Sequence, residues 1–99
     1  MTTARNGTGQ VFIKRDTGGM GSLCAIRASV NGTPVADLRI SEFVVAYLEP
    51  GDYMLGASST SVCGGGDAES SVTVRAGLVR KFRISIDPGT SIRIGPTAY

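Results

Sequence analysis

Histidine is absent from this chain, and that one absence removes much of the usual active-site chemistry. Zinc sites lose their common nitrogen donor, and nucleophile pairs that need an imidazole base cannot be assembled. Apolar runs are short: none approaches the roughly 18 residues that cross a bilayer as a helix. Residues 1–9 lack the apolar centre of a secretion signal. An excess of one charge is also missing. Ten lysines and arginines stand against eight aspartates and glutamates, so net charge points neither to nucleic acid nor to a polyanionic partner.

Cysteine is limited to Cys24 and Cys63. At 99 residues the chain fits one domain, and a domain of this size buries only about two-thirds of the surface its unfolded chain exposes, so a crosslink is a material aid. Pairing of Cys24 with Cys63 closes a loop of about 40 residues, for which chain entropy gives roughly 4 kcal/mol. A disulfide implies a periplasm or cell exterior; the alternative is two buried thiols in a cytosolic protein.

What the sequence does have is period-2 alternation along almost its whole length, with no capped stretch of helical period. Cys24, Ile26, Ala28 and Val30 alternate with Ala25, Arg27 and Ser29, and Asn31-Gly32 suits a two-residue type I′ hairpin, which sets Val35 beside Ala28. Continued alternation then turns Asp37 and Arg39 inward. Either a β-bulge near Ala36 and Asp37 resets the register, or the strand ends there. Further strands are expected over 10–15, 42–48, 53–57, 70–75, 79–86 and 91–94. Pro50-Gly51 fits a type II turn, Ala76-Gly77 and 87–90 supply two more, and 58–67 reads as a long surface loop. Phe82, Ile84 and Ile86 share one face, opposite Lys81, Arg83 and Ser85. About eight short strands predict an all-β fold, a small antiparallel β-sandwich of seven to eight strands with a small barrel as the alternative. No segment supplies the crossover helix of a parallel α/β fold.

The run Val30, Asn31, Gly32, Thr33, Pro34, Val35, Ala36, Asp37, Leu38, followed by Phe43 and by Leu48, Glu49, Pro50, Gly51, Asp52, Tyr53, Met54, Leu55, resembles a recurring bacterial pattern. It is similar to the small sandwich domains of periplasmic lipoproteins of unknown function, related in style to PEGA and carboxypeptidase-regulatory-like repeats, in which two such hairpins follow one another. The resemblance covers residues 10–57. It implies a periplasmic or outer-membrane-associated location and a non-enzymatic role, and brings no catalytic residue. It also implies a division into a flexible tether over 1–9 and a domain over 10–99, with Met1 standing where a lipidated cysteine begins such lipoproteins and anchors them to a membrane.

Catalytic groups reduce to carboxylates, hydroxyls, three tyrosines, Lys14 and Lys81; no spacing among them marks a site, so neither enzyme activity nor a cofactor is expected. Two glycine-rich segments flank the cysteines: Gly18, Gly19 and Gly21 precede Cys24, and Gly64, Gly65, Gly66 and Asp67 follow Cys63. Neither is a phosphate loop, since the lysine and helix of that motif are missing. A disulfide would draw them to one end of the sheets as a binding rim; the plain alternative is two ordinary connections. Arg75, Arg80, Lys81, Arg83 and Arg93 crowd the last third of the chain, where Arg75, Lys81, Arg83 and Arg93 form a candidate basic face, or else a solvated face guarded against aggregation by charge. Aromatic platforms for single-stranded nucleic acid are not expected, with Phe82 facing the core. The expectation is a non-enzymatic envelope domain that binds another protein. The rival is an inhibitor or immunity factor that blocks a secreted hydrolase with loops 16–22 and 58–67.

Overall fold

The computed structural model describes residues 1–16, 25–59, 66–86 and 91–97. Among them are eight strands and no helix: β1 (Gly9–Arg15), β2 (Ile26–Val30), β3 (Thr33–Leu38), β4 (Phe43–Leu48), β5 (Gly51–Ser59), β6 (Asp67–Val74), β7 (Val79–Ile86) and β8 (Ile92–Pro96). They form two open four-stranded sheets, one ordered β4-β1-β7-β8 and the other β3-β2-β5-β6. The fold is therefore a β-sandwich and not a barrel. One pairing departs from the antiparallel expectation: β1 runs parallel to β7. A parallel neighbour needs a long connection, and here that connection is most of the chain, looping through the second sheet before β7 returns beside β1.

Alternation places one face of each strand in a shared core. Val11 and Ile13 of β1, Phe82 and Ile84 of β7, and Ala46 and Leu48 of β4 meet Ile26, Ala28 and Val30 of β2, Leu55 and Ala57 of β5, and Val72 and Val74 of β6. Ile13, Leu55 and Ile84 are wholly excluded from solvent, and burying side chains of this size stabilises a fold by about 1.5–3 kcal/mol each. Gly9 begins β1 where it crosses the end of β6; a Cβ there would overlap the Arg75 carbonyl and a Val74 methyl.

The Asn31-Gly32 hairpin is present, with φ of 49° and 81° at its two central residues as a type I′ turn requires. Its register differs by one place from simple alternation. Val30 faces Thr33 and Ser29 faces Pro34, but Ala28 faces Ala36, so Val35 is the extra residue of a bulge and does not sit beside Ala28. The bulge thus falls just before the expected Ala36 and Asp37. It returns Leu38 to the core and leaves Asp37 exposed.

Two expected chain reversals join different sheets instead of neighbouring strands. Pro50-Gly51 leads from β4 to β5, and Ala76-Gly77 leads from β6 to β7. The second hairpin of the family pattern is therefore an arch over the core. Tyr53 braces it, its hydroxyl donating to the Glu49 carbonyl at 2.7 Å. The expected loop over 58–67 is shorter, because Ser58 and Ser59 end β5 and Asp67 begins β6, where Ser58 pairs with Asp67.

Candidate functional site

Cys24, Cys63, Gly18, Gly19, Gly21, Gly64 and Gly65 lie outside the described residues, and with them the expected disulfide and the paired rim. Gly66 is exposed with φ of 68°, and Asp67 is the exposed first residue of β6.

The basic cluster is divided by the fold. Lys81 and Arg83 of β7 and Arg93 of β8 are exposed on the outward face of the first sheet, where Ser85 pairs with Arg93 and Arg83 with Gly95. Arg75 is not with them. It follows the last residue of β6 in the connection between the sheets, since the turn at Ala76 and Gly77 is not a hairpin.

A fourth cation and an aromatic group join that outward face. With Val11, Ile13 and Arg15 of β1 directed inward, Phe12 and Lys14 face out. Register sets Phe12 between Val45 and Lys81, and Lys14 between Phe43 and Arg83. The Phe12 and Phe43 rings stack with centroids 4.9 Å apart at 24°. Tyr47 lies further along β4, opposite Gln10. Phe43 is 57% exposed, a large apolar surface for a residue with a stacking partner. The face therefore has two halves: an apolar one of Phe12, Phe43, Val45 and Tyr47 over β1 and β4, and a cationic one of Lys81, Arg83 and Arg93 over β7 and β8, with Lys14 between them. Asp16, just past β1, takes a salt bridge from Arg83 and sets that guanidinium across the strand ends.

The opposite sheet carries the other sign. Its outward positions hold Asp37, Asp52, Asp67 and Glu69 against Arg27 as the one cation among the described strand residues. Arg27 and Asp37 are cross-strand partners at 2.9 Å. The hydrogen bond from Arg27 holds the Asp37 carboxyl below its usual range, and the same contact raises Arg27. Asp52 accepts from the Thr73 hydroxyl at 2.8 Å.

Arg15 is a further residue that the sequence reading does not single out, although the parity of Val11 and Ile13 carries it inward. It is 2% exposed on the inner face of β1, and its Nη1 donates to the Leu38 carbonyl at 3.0 Å, tying the first sheet to β3 of the second. Burial pulls its pKa below the ordinary guanidinium value. Among the described residues no group of three or more acidic or cysteine side chains is arranged to hold a metal ion.

Phe12 and Phe43 escaped the sequence reading for a physical reason. Both faces of β4 are apolar (Val44, Ala46 and Leu48 against Phe43, Val45 and Tyr47), so alternation does not say which of them is buried, and in β1 Phe12 is a lone ring between Gln10 and Lys14 whose stacking partner lies on β4. The buried parity is set by β7 and the second sheet.

No family model matches the chain, and no curated protein does. Among solved structures, the N-terminal domain of AlgF from P. aeruginosa superposes with a TM-score of 0.52 at 15% identity, over 97% of this chain and all of that one. A protein from Eubacterium rectale, determined by NMR, gives a TM-score of 0.58 at 13% identity over 98% of this chain and 97% of that one. At such identities the likeness concerns the fold: this chain has the same small two-sheet sandwich as those two structures.

Proposed function

We propose that this chain is a non-enzymatic domain of the bacterial cell envelope that binds another protein through the outward face of its first sheet. The observation that carries the reading is the outward-facing Phe12–Phe43 stack, in which Phe43 is exposed and Phe12 half-buried, with Tyr47 beside it and Lys14, Lys81, Arg83 and Arg93 bordering it on one side. Aromatic residues and arginine are the groups that concentrate binding energy in protein interfaces. The partner it fits has an apolar patch edged by carboxylates. A linear polyanion would instead be served by cations spaced along a track and by rings standing apart to receive bases; here the cations gather on one flank and the rings stack on each other. The envelope location rests on the expected Cys24–Cys63 disulfide and on the periplasmic lipoprotein resemblance of residues 10–57, which also favours a lipidated tether ahead of β1. The inhibitor reading depends on loops 16–22 and 58–67, and nothing among the described residues favours it.

A photoreactive phenylalanine at position 43 tests the reading, with the same group at Met54, exposed on the opposite sheet, as the control. Irradiation of the source bacterium should give a discrete protease-sensitive adduct from position 43, recovered with the envelope fraction and lost when Lys81→Glu and Arg93→Glu are added. Adducts that form equally from position 54, that ignore the charge reversals or that resist protease would overturn it.

A further inference from the structure

The four sheet edges are not treated alike. In β3, Ser29 and Pro34 form a pair whose polar groups point away from one another, because the Val30 and Thr33 pair closes the two-residue turn. Pro34 therefore presents its missing N–H to the open side. In β8 the Thr97 N–H donates to the Lys81 carbonyl at 3.0 Å, so the next position, Pro96, points outward and again offers no donor. In β4 the Tyr47 N–H is taken by the Met1 carbonyl at 2.6 Å. Prolines and covered donors are the ordinary means by which a sheet edge refuses another strand.

β6 has none of these. It is eight residues long, without proline or bulge, and its only strand partner among the described residues is β5. The direction of its polar groups follows from β5. The Met54 carbonyl accepts from the Asn31 N–H at 2.8 Å, and the Met54 N–H donates to the Asn31 side chain at 2.9 Å. Met54 thus spends both groups toward β2, and Ser71, its partner in β6, directs its own away from β5. By alternation Asp67, Glu69 and Thr73 do the same. A groove of about 430 Å³ lies beside this edge, lined by Ser71, Val72, Thr73, Phe82, Pro96 and other residues of β7 and β8.

We propose that β6 pairs with β6 of a second copy of this chain, antiparallel about a two-fold axis at Ser71, to make one continuous eight-stranded sheet. The charge order along β6 and just past its end carries the choice of occupant: Asp67 and Glu69 come first, Ser70 to Val74 are neutral, and Arg75 follows as the first residue beyond the strand. Antiparallel pairing centred on Ser71 sets Asp67 opposite Arg75 of the other copy, Glu69 opposite Thr73 and Ser71 opposite itself. Opposite charges thereby face each other twice, once on each side of the axis, and no carboxylates meet. Centring on Glu69 would place the two copies' Glu69 side chains face to face, which like-charge repulsion disfavours. An isologous contact of this kind closes on itself and leaves no further β6 edge for a third copy.

Sedimentation equilibrium on the purified full chain tests the pairing. The chain should be dimeric at about 100 μM, and Ser71→Pro should leave it monomeric with its circular dichroism and melting temperature little changed, since the lost N–H points away from β5 and bonds to none of the described residues. Asp67→Arg alone and Arg75→Asp alone should each weaken the dimer about tenfold, because each places like charges opposite one another at two symmetric positions. The two together should restore it. A wild-type chain monomeric at about 1 mM, a Ser71→Pro chain that still dimerises, or a double exchange no stronger than the single ones would overturn the proposal. Because the photo-adduct at position 43 reports the opposite sheet, either result leaves the protein-binding reading separately decided.

Discussion

Single residues in this sandwich show how a local rule is overridden by a neighbour. Asn31 takes a positive φ for the turn, and the side chain that helps it do so also supplies the acceptor for the Met54 N–H. Arg15 follows the inward parity of β1 and is buried, made tolerable by its bond to the Leu38 carbonyl. Asp37 would face inward under strict alternation, and the bulge at Val35 turns it out to Arg27. Its pKa gives that pairing a pH signature. The hydrogen bond from Arg27 depresses the folded-state value, so the stabilisation is present above the unfolded pKa and is lost as pH falls through the depressed one. Thermal melts of wild type and Asp37→Asn should therefore differ at about pH 7, with wild type higher by a small margin, and converge by about pH 2. A gap that is constant across this range would show that the ion pair contributes nothing.

At the scale of elements, strand existence was legible and sheet membership was not. All eight strands are anticipated near their observed places, most by alternation and by glycine or proline at most of the turns, and the Asn31-Gly32 turn gives even its type, because the demand for two positive φ angles is local. Pro50-Gly51 and Ala76-Gly77 are equally local signals for reversal. Yet a reversal into the same sheet and an arch across the core use similar residues, and the choice is made by which strands the new one meets, information that sits at distant positions. Tyr53 is the clue that was available. A tyrosine four residues past Glu49, bonding back to its carbonyl, resembles the corner brace of other sandwiches, where a strand leaves one sheet for the other. Tyr53→Phe keeps the ring's packing and removes only the hydroxyl, so chemical denaturation should show a loss of about 1 kcal/mol with an unchanged m-value. No loss would mean that the arch is held by the chain on either side of it.

Across the whole molecule, the two outward faces differ in sign and in apolar content, and this asymmetry was only half legible. Lys81, Arg83 and Arg93 could be placed together because β7 has a clear polar face. The aromatic half could not, because β4 is apolar on both sides and its orientation is decided by packing, and Phe12 gains its stacking partner only once that orientation is set. The distinction between an aromatic that holds the fold and one kept for another purpose becomes a measurement. Phe82 is 3% exposed in the core and Phe43 is 57% exposed on the surface. Truncating a buried phenylalanine removes its transfer energy and leaves a cavity, so Phe82→Ala should cost about 3–5 kcal/mol and lower the melting temperature severely. Phe43→Ser gives up the stack with Phe12 but relieves solvent-exposed apolar surface, and its net cost should stay within about 1 kcal/mol. If Phe43→Ser instead destabilised the chain as much as Phe82→Ala, the ring would be a structural element of the first sheet. The protein-binding reading would then lose its main support. A stable Phe43→Ser chain would mean that the fold tolerates the loss of an exposed ring it does not need, leaving binding as the reason for that ring's place beside four cations.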